Sequence, residues 1–247
     1  MSIPRFFVNV PKFDQSETQI TDPTEIHHLI HVLRLKEGET ISIFNGKDSE
    51  AIGEIAHIDR QKVTVRINSV KTMLSENSKS LILACAIPKK SKFESIIEKC
   101  TELGIDEIIP LQTQRTEVRL KDEKSDKKRL RYQAVAVNAA KQSQRLTIPR
   151  IHPIQKFSEA LNHLQKDDLA LIPTLEGQRQ SLHEVLSLAI AKKRIVFFIG
   201  PEGDFSPEEI LMAQKAGCIP ISLGSTVLKV DTAAIAVTAL LNLTKTS

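Results

Sequence analysis

Residues 199–209 read Ile-Gly-Pro-Glu-Gly-Asp-Phe-Ser-Pro-Glu-Glu, and this stretch decides the fold. It ends the apolar run Ile195 to Ile199, turns through a loop bracketed by Gly200 and Gly203, and opens a helix. Ser206 as N-cap, Pro207 at the first helical position and Glu209 three residues past the cap form a capping box. Gly217 closes that helix as a left-handed C′ residue. The layout then repeats. Ile219 to Leu223 is a short strand, Gly224 turns the chain, and Asp231 is read as the cap of a final helix, Thr232 to Leu243. Two such loops at the carboxyl ends of neighbouring strands make a ligand crevice in an open α/β sheet. Gly200, Gly203 and Gly224 let backbone approach a ligand closely and permit positive φ. Loops of this kind offer N–H and C=O groups rather than side chains, which suits an adenine or ribose edge. Neither loop has the spacing of a dinucleotide fingerprint or a P-loop.

Upstream, from Ser80, strands and helices alternate. Leu81 to Ile87, Ile108 to Leu111 and Asp168 to Pro173 read as strands. Phe93 to Leu103 (stopped by Gly104), Tyr132 to Gln142 and Leu182 to Ala191 read as helices. Nearly continuous apolar strands are covered on both faces, so the sheet is mostly parallel with helices on each side. The first seventy residues differ. Arg5 to Val8, Thr40 to Phe44, Ala51 to Ile58 and Lys62 to Ile67 are short strand-like runs separated by turn signals such as Asn45-Gly46. One helix interrupts them, capped by Asp22 with Pro23 in its first turn and continuing from Glu25 to Leu33. Residues 71–79 are polar and read as a linker, so a domain of residues 1–72 precedes one of residues 73–247.

Composition sets limits. The 247 residues are 41% hydrophobic and 26% charged, an ordinary globular balance. No run of about 18 apolar residues occurs, which argues against a membrane-spanning helix. The first fourteen residues read as no signal peptide. Cys85, Cys100 and Cys218 lack paired metal spacing and read as free buried thiols in a reducing cytoplasm. The net charge of +4 has an uneven distribution, because residues 119–131 carry seven basic and three acidic side chains. That run is either a solvated loop and helix face or a phosphate-contacting patch. His27 and His31 have the helical spacing of a metal pair but no third ligand, so no metal is expected. Aromatic content of 4% and the absence of Trp argue against a base-stacking platform.

The chain resembles the RsmE family of ribosomal RNA uridine methyltransferases, within the SPOUT superfamily. The likeness runs nearly end to end. It rests on residues 4–7 (PRFF), 28–36 (HLIHVLRLK), 92–104 (KFESIIEKCTELG), Arg115-Thr116, 138–145 (NAAKQSQR), 199–206 (IGPEGDFS), Leu223-Gly224 and 228–233 (LKVDTA). The resemblance implies an α/β fold whose mostly parallel sheet ends in a carboxyl-terminal trefoil knot, with an amino-terminal PUA-like β-barrel that helps hold RNA. It further implies S-adenosylmethionine as methyl donor, a homodimer, and methylation at N3 of a uridine in small-subunit ribosomal RNA or the assembled small subunit.

Carried over by position, Thr174, Gly200, Glu202, Gly203, Leu223, Gly224 and Leu228 are expected to line the donor pocket. Arg145, Gln142 and Lys229 are the expected catalytic side chains. Arg5, His31, Arg34, Lys36, Lys92 and Arg115 are expected to face RNA. The chain departs from the family at four places: Lys229 and Asp231 stand where Arg and Glu are usual, Lys141 where Glu is frequent, and Asp204 where Gly is frequent. Lys229 keeps the charge but loses the bidentate fork. Tyr132, where Trp is frequent, is expected to pack. Two other readings share the sequence features: a SPOUT enzyme acting on another RNA or atom, such as a transfer-RNA ribose 2′-OH, and a non-catalytic RNA-binding assembly factor.

Overall fold

The computed structural model describes residues 3–73, 79–89, 92–116, 122–175 and 177–245. The chain divides into two compact units, one of Met1–Glu76 with Ala140–Ile148, the other of Asn77–Ala139 with Pro149–Ser247. Residues 74–78 of the expected linker and 119–121 of the basic run lie outside the described residues.

The first unit holds β1 (Arg5–Phe7), β2 (Glu17–Ile20), α1 (Pro23–His27) with a π-helical turn (His28–Val32), β3 (Thr40–Phe44), β4 (Ser49–Ile58) and β5 (Val63–Thr72). Strand order is β1-β3-β4-β5-β2; β1 lies parallel to β3, and the other pairs are antiparallel. Burial alternates along β4 and the start of β5, so one sheet face packs on Phe6, Ile20, Leu29, Ile43 and Val65. The Asp22 carboxylate accepts from the Thr24 and Glu25 N–H groups, which starts α1 as its sequence requires. The helix reads continuously to Leu33, yet its second half widens into a π-turn ending at Arg34, a non-glycine residue at φ 55°. Strand β2 escapes the sequence reading because four residues with one buried position show little alternation.

The second unit holds β6 (Ser80–Ala86), α2 (Lys92–Glu102), β7 (Glu107–Gln112), α3 (Asp122–Gln142, whose last residues belong to the first unit), β8 (Arg150–Ile151), β9 (Gln155–Lys156) and α4 (Phe157–Leu161). It continues through β10 (Leu169–Pro173), β11 (Gln180–Ser181), α5 (Leu182–Ala191), β12 (Arg194–Ile199), α6 (Pro207–Lys215), β13 (Ile219–Ser222) and α7 (Val230–Leu243). The sheet order is β11-β13-β10-β12-β6-β7-β8, every ladder parallel. One face carries Ile82, Ala84, Val196 and Phe198 against α4 and α6 through Phe157, Ala160 and Ala213. On the other face α7 packs against β6, β12 and α2, where the Thr238 hydroxyl meets Cys100 Sγ at 3.3 Å. The apolar strands are therefore covered on both sides, as their composition requires.

Most boundaries fall within one or two residues of the sequence reading. Two elements are exceptions: β5 runs to Thr72, past Ile67 and into the expected linker, and α3 begins at Asp122, ten residues before Tyr132, because the charged run is itself helical, with Arg131 paired to Glu94 at 2.8 Å. The short β8, β9, α4 and β11 carry no periodic signal of their own. Gly104 and Gly217 both take φ +91°, confirming them as left-handed helix stops. Tyr132 is buried against Phe93 at 4.9 Å, and burial pushes its hydroxyl up to about 12. All three cysteines are free and buried. Among the described residues no helix is long and apolar enough to cross a membrane.

Candidate functional site

In a parallel sheet all carboxyl ends share one edge, and loops leaving it converge where strand order reverses. Here β10 lies between β12 and β13, and the loops after these three strands enclose a cavity of about 220 Å³. Its wall comprises Thr174 and Arg179 after β10, Gly200, Glu202 and Asp204 after β12, and Ser222 to Gly224 and Thr226 to Lys229 after β13. Val230 and Ala233 from the first turn of α7 close it. Leu223, Leu228, Val230 and Ala233 give an apolar side, while the glycine loops expose peptide groups. That combination accepts a flat heteroaromatic ring with polar edges.

Asp204 ties two of the loops. It sits at φ 59°, a left-handed conformation that Gly takes freely and Asp tolerates better than most residues. One carboxylate oxygen accepts from Leu175 N at 2.9 Å, the other from Phe205 N at 2.8 Å. Asp204 therefore suits this conformation and adds a cross-loop bond. Thr174 N donates to Ile221 O of β13 at 3.2 Å, extending the β10–β13 ladder to the edge of the cavity. Arg179 donates to Thr174 O at 2.9 Å. The sequence reading missed Arg179 and Asp204 as wall residues. Arg179 lies in a polar stretch without a motif, and only strand order brings it to this edge.

Two glycines behave otherwise than expected. Positive φ occurs at Gly224 (+120°) and Asp204, but not at Gly200 or Gly203. A Cβ on Gly200 would come within 3.1 Å of the buried Phe205 ring, so packing beneath the loop favours glycine there. Gly203 does not line the cavity, contrary to expectation; a Cβ there would meet only the Arg115 side chain at 3.5 Å. Gly203→Ala is accordingly expected to keep affinity for a cavity ligand within about threefold, measured by titration calorimetry.

The capping box of α6 forms as read. Ser206 Oγ accepts from Glu209 N, and Glu209 Oε2 accepts from Ser206 N at 2.9 Å. Buried Glu209 also accepts from Gln114 N at 2.8 Å, which anchors the loop carrying Arg115. Helix α7 corrects the reading: its N-cap is Lys229, with no side-chain cap bond, and Asp231 lies in the first turn. The terminal N–H groups and the helix dipole still favour a carboxylate there. Asp231 Oδ2 stands 4.0 Å from Lys92 Nζ, while Oδ1 is buried without a partner among the described residues.

Of the expected donor-pocket residues, Thr174, Gly200, Glu202, Leu223, Gly224 and Leu228 line the cavity together, with Lys229 beside them. Gln142 and Arg145 do not; they belong to the first unit. His31, Arg34 and Lys36 are exposed on that unit, next to the exposed Val32 and Leu33. Lys92 is half exposed on α2. Arg115 is exposed but braces the glycine loop, donating to the Gly203 and Phe205 carbonyls. Arg5 is a correction: its side chain is only 8% exposed and its guanidinium is engaged within the first unit, leaving it unsuited to a phosphate. The His27 and His31 rings stack at 5.1 Å, and no group of three metal-ligating side chains occurs among the described residues.

Fold and site define an α/β protein with a ligand crevice at the carboxyl edge of a parallel sheet, preceded by a small β-rich unit. Residues 75–242 match the RNA methyltransferase domain family, and residues 20–68 match the RNA methyltransferase PUA domain. The chain belongs to the RNA methyltransferase family. It is 30% identical over 239 residues to the ribosomal RNA small subunit methyltransferase E of Rickettsia conorii, covering 95% of this chain and 93% of that protein. Identity to the Bacillus subtilis protein of the same name is 28% over 235 residues, covering 93% and 92%. Among solved structures, a Legionella pneumophila methyltransferase in complex with S-adenosylmethionine superposes with a TM-score of 0.88 at 29% identity, covering 98% of both chains. The Neisseria gonorrhoeae ribosomal RNA small subunit methyltransferase E, also bound to S-adenosylmethionine, gives 0.87 at 25% identity, covering 98% of both chains.

Proposed function

We propose that this chain is an S-adenosylmethionine-dependent methyltransferase that modifies N3 of one uridine in small-subunit ribosomal RNA. The observation that carries this reading is the cavity, whose three loops join an apolar side to exposed peptide groups at the carboxyl edge of the sheet. Its residues fit the donor: Leu223, Leu228 and Ala233 can cover an adenine face, loop peptides can meet its edge, and Glu202 can balance a cation. When bound, the donor supplies an electrophilic methyl group on a sulfonium.

The chain's own residues must then orient a splayed uridine and manage the charge left as N3 loses its proton. Lys229, exposed at the cavity wall, can stabilise a developing oxyanion on a uracil oxygen. Arg145 and Gln142 are proposed to complete that set, with a second copy of the chain forming a homodimer. On this reading residues 1–72 are a PUA-like RNA-holding domain and residues 73–247 a SPOUT catalytic domain, with residues 140–148 packed in the first unit. His31, Arg34, Lys36, Lys92 and the exposed Arg115 supply positive charge toward RNA. The protein works in the cytoplasm, where ribosomal subunits are.

The test is methyl transfer from labelled donor to small ribosomal subunits lacking the modification, with transfer RNA in parallel and nucleosides identified after digestion. N3-methyluridine from the subunit is expected. Label on ribose or in transfer RNA would overturn the target. No label, with no donor binding, would leave a non-catalytic RNA-binding protein.

A further inference from the structure

Gln142 and Arg145 flank the short turn that ends helix α3. Helix α3 ends at Gln142, and Gln144 follows at φ 56°, a left-handed conformation that non-glycine residues adopt at a cost. Two backbone bonds close the turn, Arg145 N to Ala140 O at 3.0 Å and Gln144 N to Lys141 O at 3.4 Å, and Arg145 Nη2 donates to Thr147 Oγ1 at 2.9 Å. A further clamp comes from the other end of the sequence.

The Arg5 guanidinium spans the turn. Nη1 donates to Ala140 O at 3.0 Å and Nη2 to Arg145 O at 2.9 Å, so the two carbonyls at the ends of the turn share one planar fork. Its third nitrogen, Nε, donates to Glu50 Oε1 at 2.8 Å, and Ser42 Oγ donates to the same oxygen at 2.6 Å. The guanidinium carbon lies 4.0 Å from the centre of the Phe44 ring. Farther along, Ile148 N donates to Gly46 O at 2.9 Å, where Gly46 leaves room for the Ile148 side chain. Every nitrogen of Arg5 is engaged inward. A lysine could reach one carbonyl but could not span both.

We propose that Arg5 is a positioning residue for turnover: by holding the Ala140 and Arg145 carbonyls it fixes the Gln142–Arg145 turn, and with it the direction of the Arg145 side chain. The first unit therefore contributes to the methyl-transfer step itself and not only to RNA affinity. This rests on the catalytic reading of Arg145 given above.

The test measures kcat and KM for small subunits at saturating donor, with folding checked by circular dichroism and melting. Arg5→Met is expected to lower kcat about a hundredfold and Arg5→Lys at least about tenfold, the scale of a misplacement near 1 Å. KM for the subunit and Kd for the donor are expected to stay within about threefold. Arg5→Lys keeps a charge for Glu50 and serves if the methionine variant does not fold. In an Arg145→Ala background the Arg5 substitutions are expected to cost little more, because the group they aim is gone. A raised KM with unchanged kcat would overturn the proposal in favour of direct RNA contact. An equal loss of kcat with or without Arg145 would overturn positioning through that residue. Full kcat in Arg145→Ala alone, where Arg5 is untouched, would instead sink the catalytic reading and this inference with it.

Discussion

Gly224→Val is expected to fold and to lose affinity for S-adenosylmethionine by about tenfold to a hundredfold. Gly224 takes φ +120°, a region almost closed to L side chains, so the turn must move to admit valine. Relieving such strain is worth about 1–3 kcal/mol, and a site that forms only with the native turn loses that much affinity. The added carbons would also project from the cavity wall into space that is open within 4 Å. Both effects act on the loop that presents Leu223 and Leu228. Calorimetric titration with the donor, beside a melting curve, checks this. Affinity retained within about threefold in a folded variant would dissociate the cavity from the donor. Gly200 is the less informative glycine to alter, since its Cβ would press on Phe205 and damage packing first.

Glu25→Ala is expected to destabilise the first unit by about 3–5 kcal/mol. The Lys141 ammonium lies 2.8 Å from both carboxylate oxygens of Glu25, and the two side chains are 12% and 6% exposed. Removing the acid strands a buried cation. Among the described residues no second carboxylate pairs with Lys141; the Phe6 ring lies 5.5 Å from its ammonium, and burial first, then the Lys141 charge, holds the His28 imidazole below the usual range. The double variant Glu25→Ala with Lys141→Met is expected to recover most of the loss, because a neutral side chain leaves no charge to solvate. Chemical denaturation followed by circular dichroism measures both. A single variant as stable as the parent would mean that water reaches Lys141.

Local signals carried much of the fold. The capping box at Ser206 and Glu209, the stops at Gly104 and Gly217 and the apolar runs of β6 and β12 are contests between neighbours in sequence, so composition decides them. The glycine loops were legible for the same reason, and they led to most of the cavity wall. Asp231 shows where local reading fails. A short acid before a helical pattern suggests a cap, but the chain enters α7 two residues earlier, at Lys229, where the loop after β13 delivers it.

The sequence by itself determined the alternation of elements, the two-glycine-loop crevice and the family likeness, because each depends on residues close together along the chain. Tertiary structure alone decided which side chains serve binding and which serve architecture. Arg5 and Arg115 carry the same charge as Lys36, yet Arg5 is buried across a turn 140 residues away, Arg115 braces a glycine loop, and Lys36 stays exposed. Glu25 finds its partner 116 residues on, and Asp204 gains a loop to hold only because β10 lies between β12 and β13. A guanidinium or carboxylate acquires its role from the dipoles that surround it. Those are set by long-range packing, which residue order does not display.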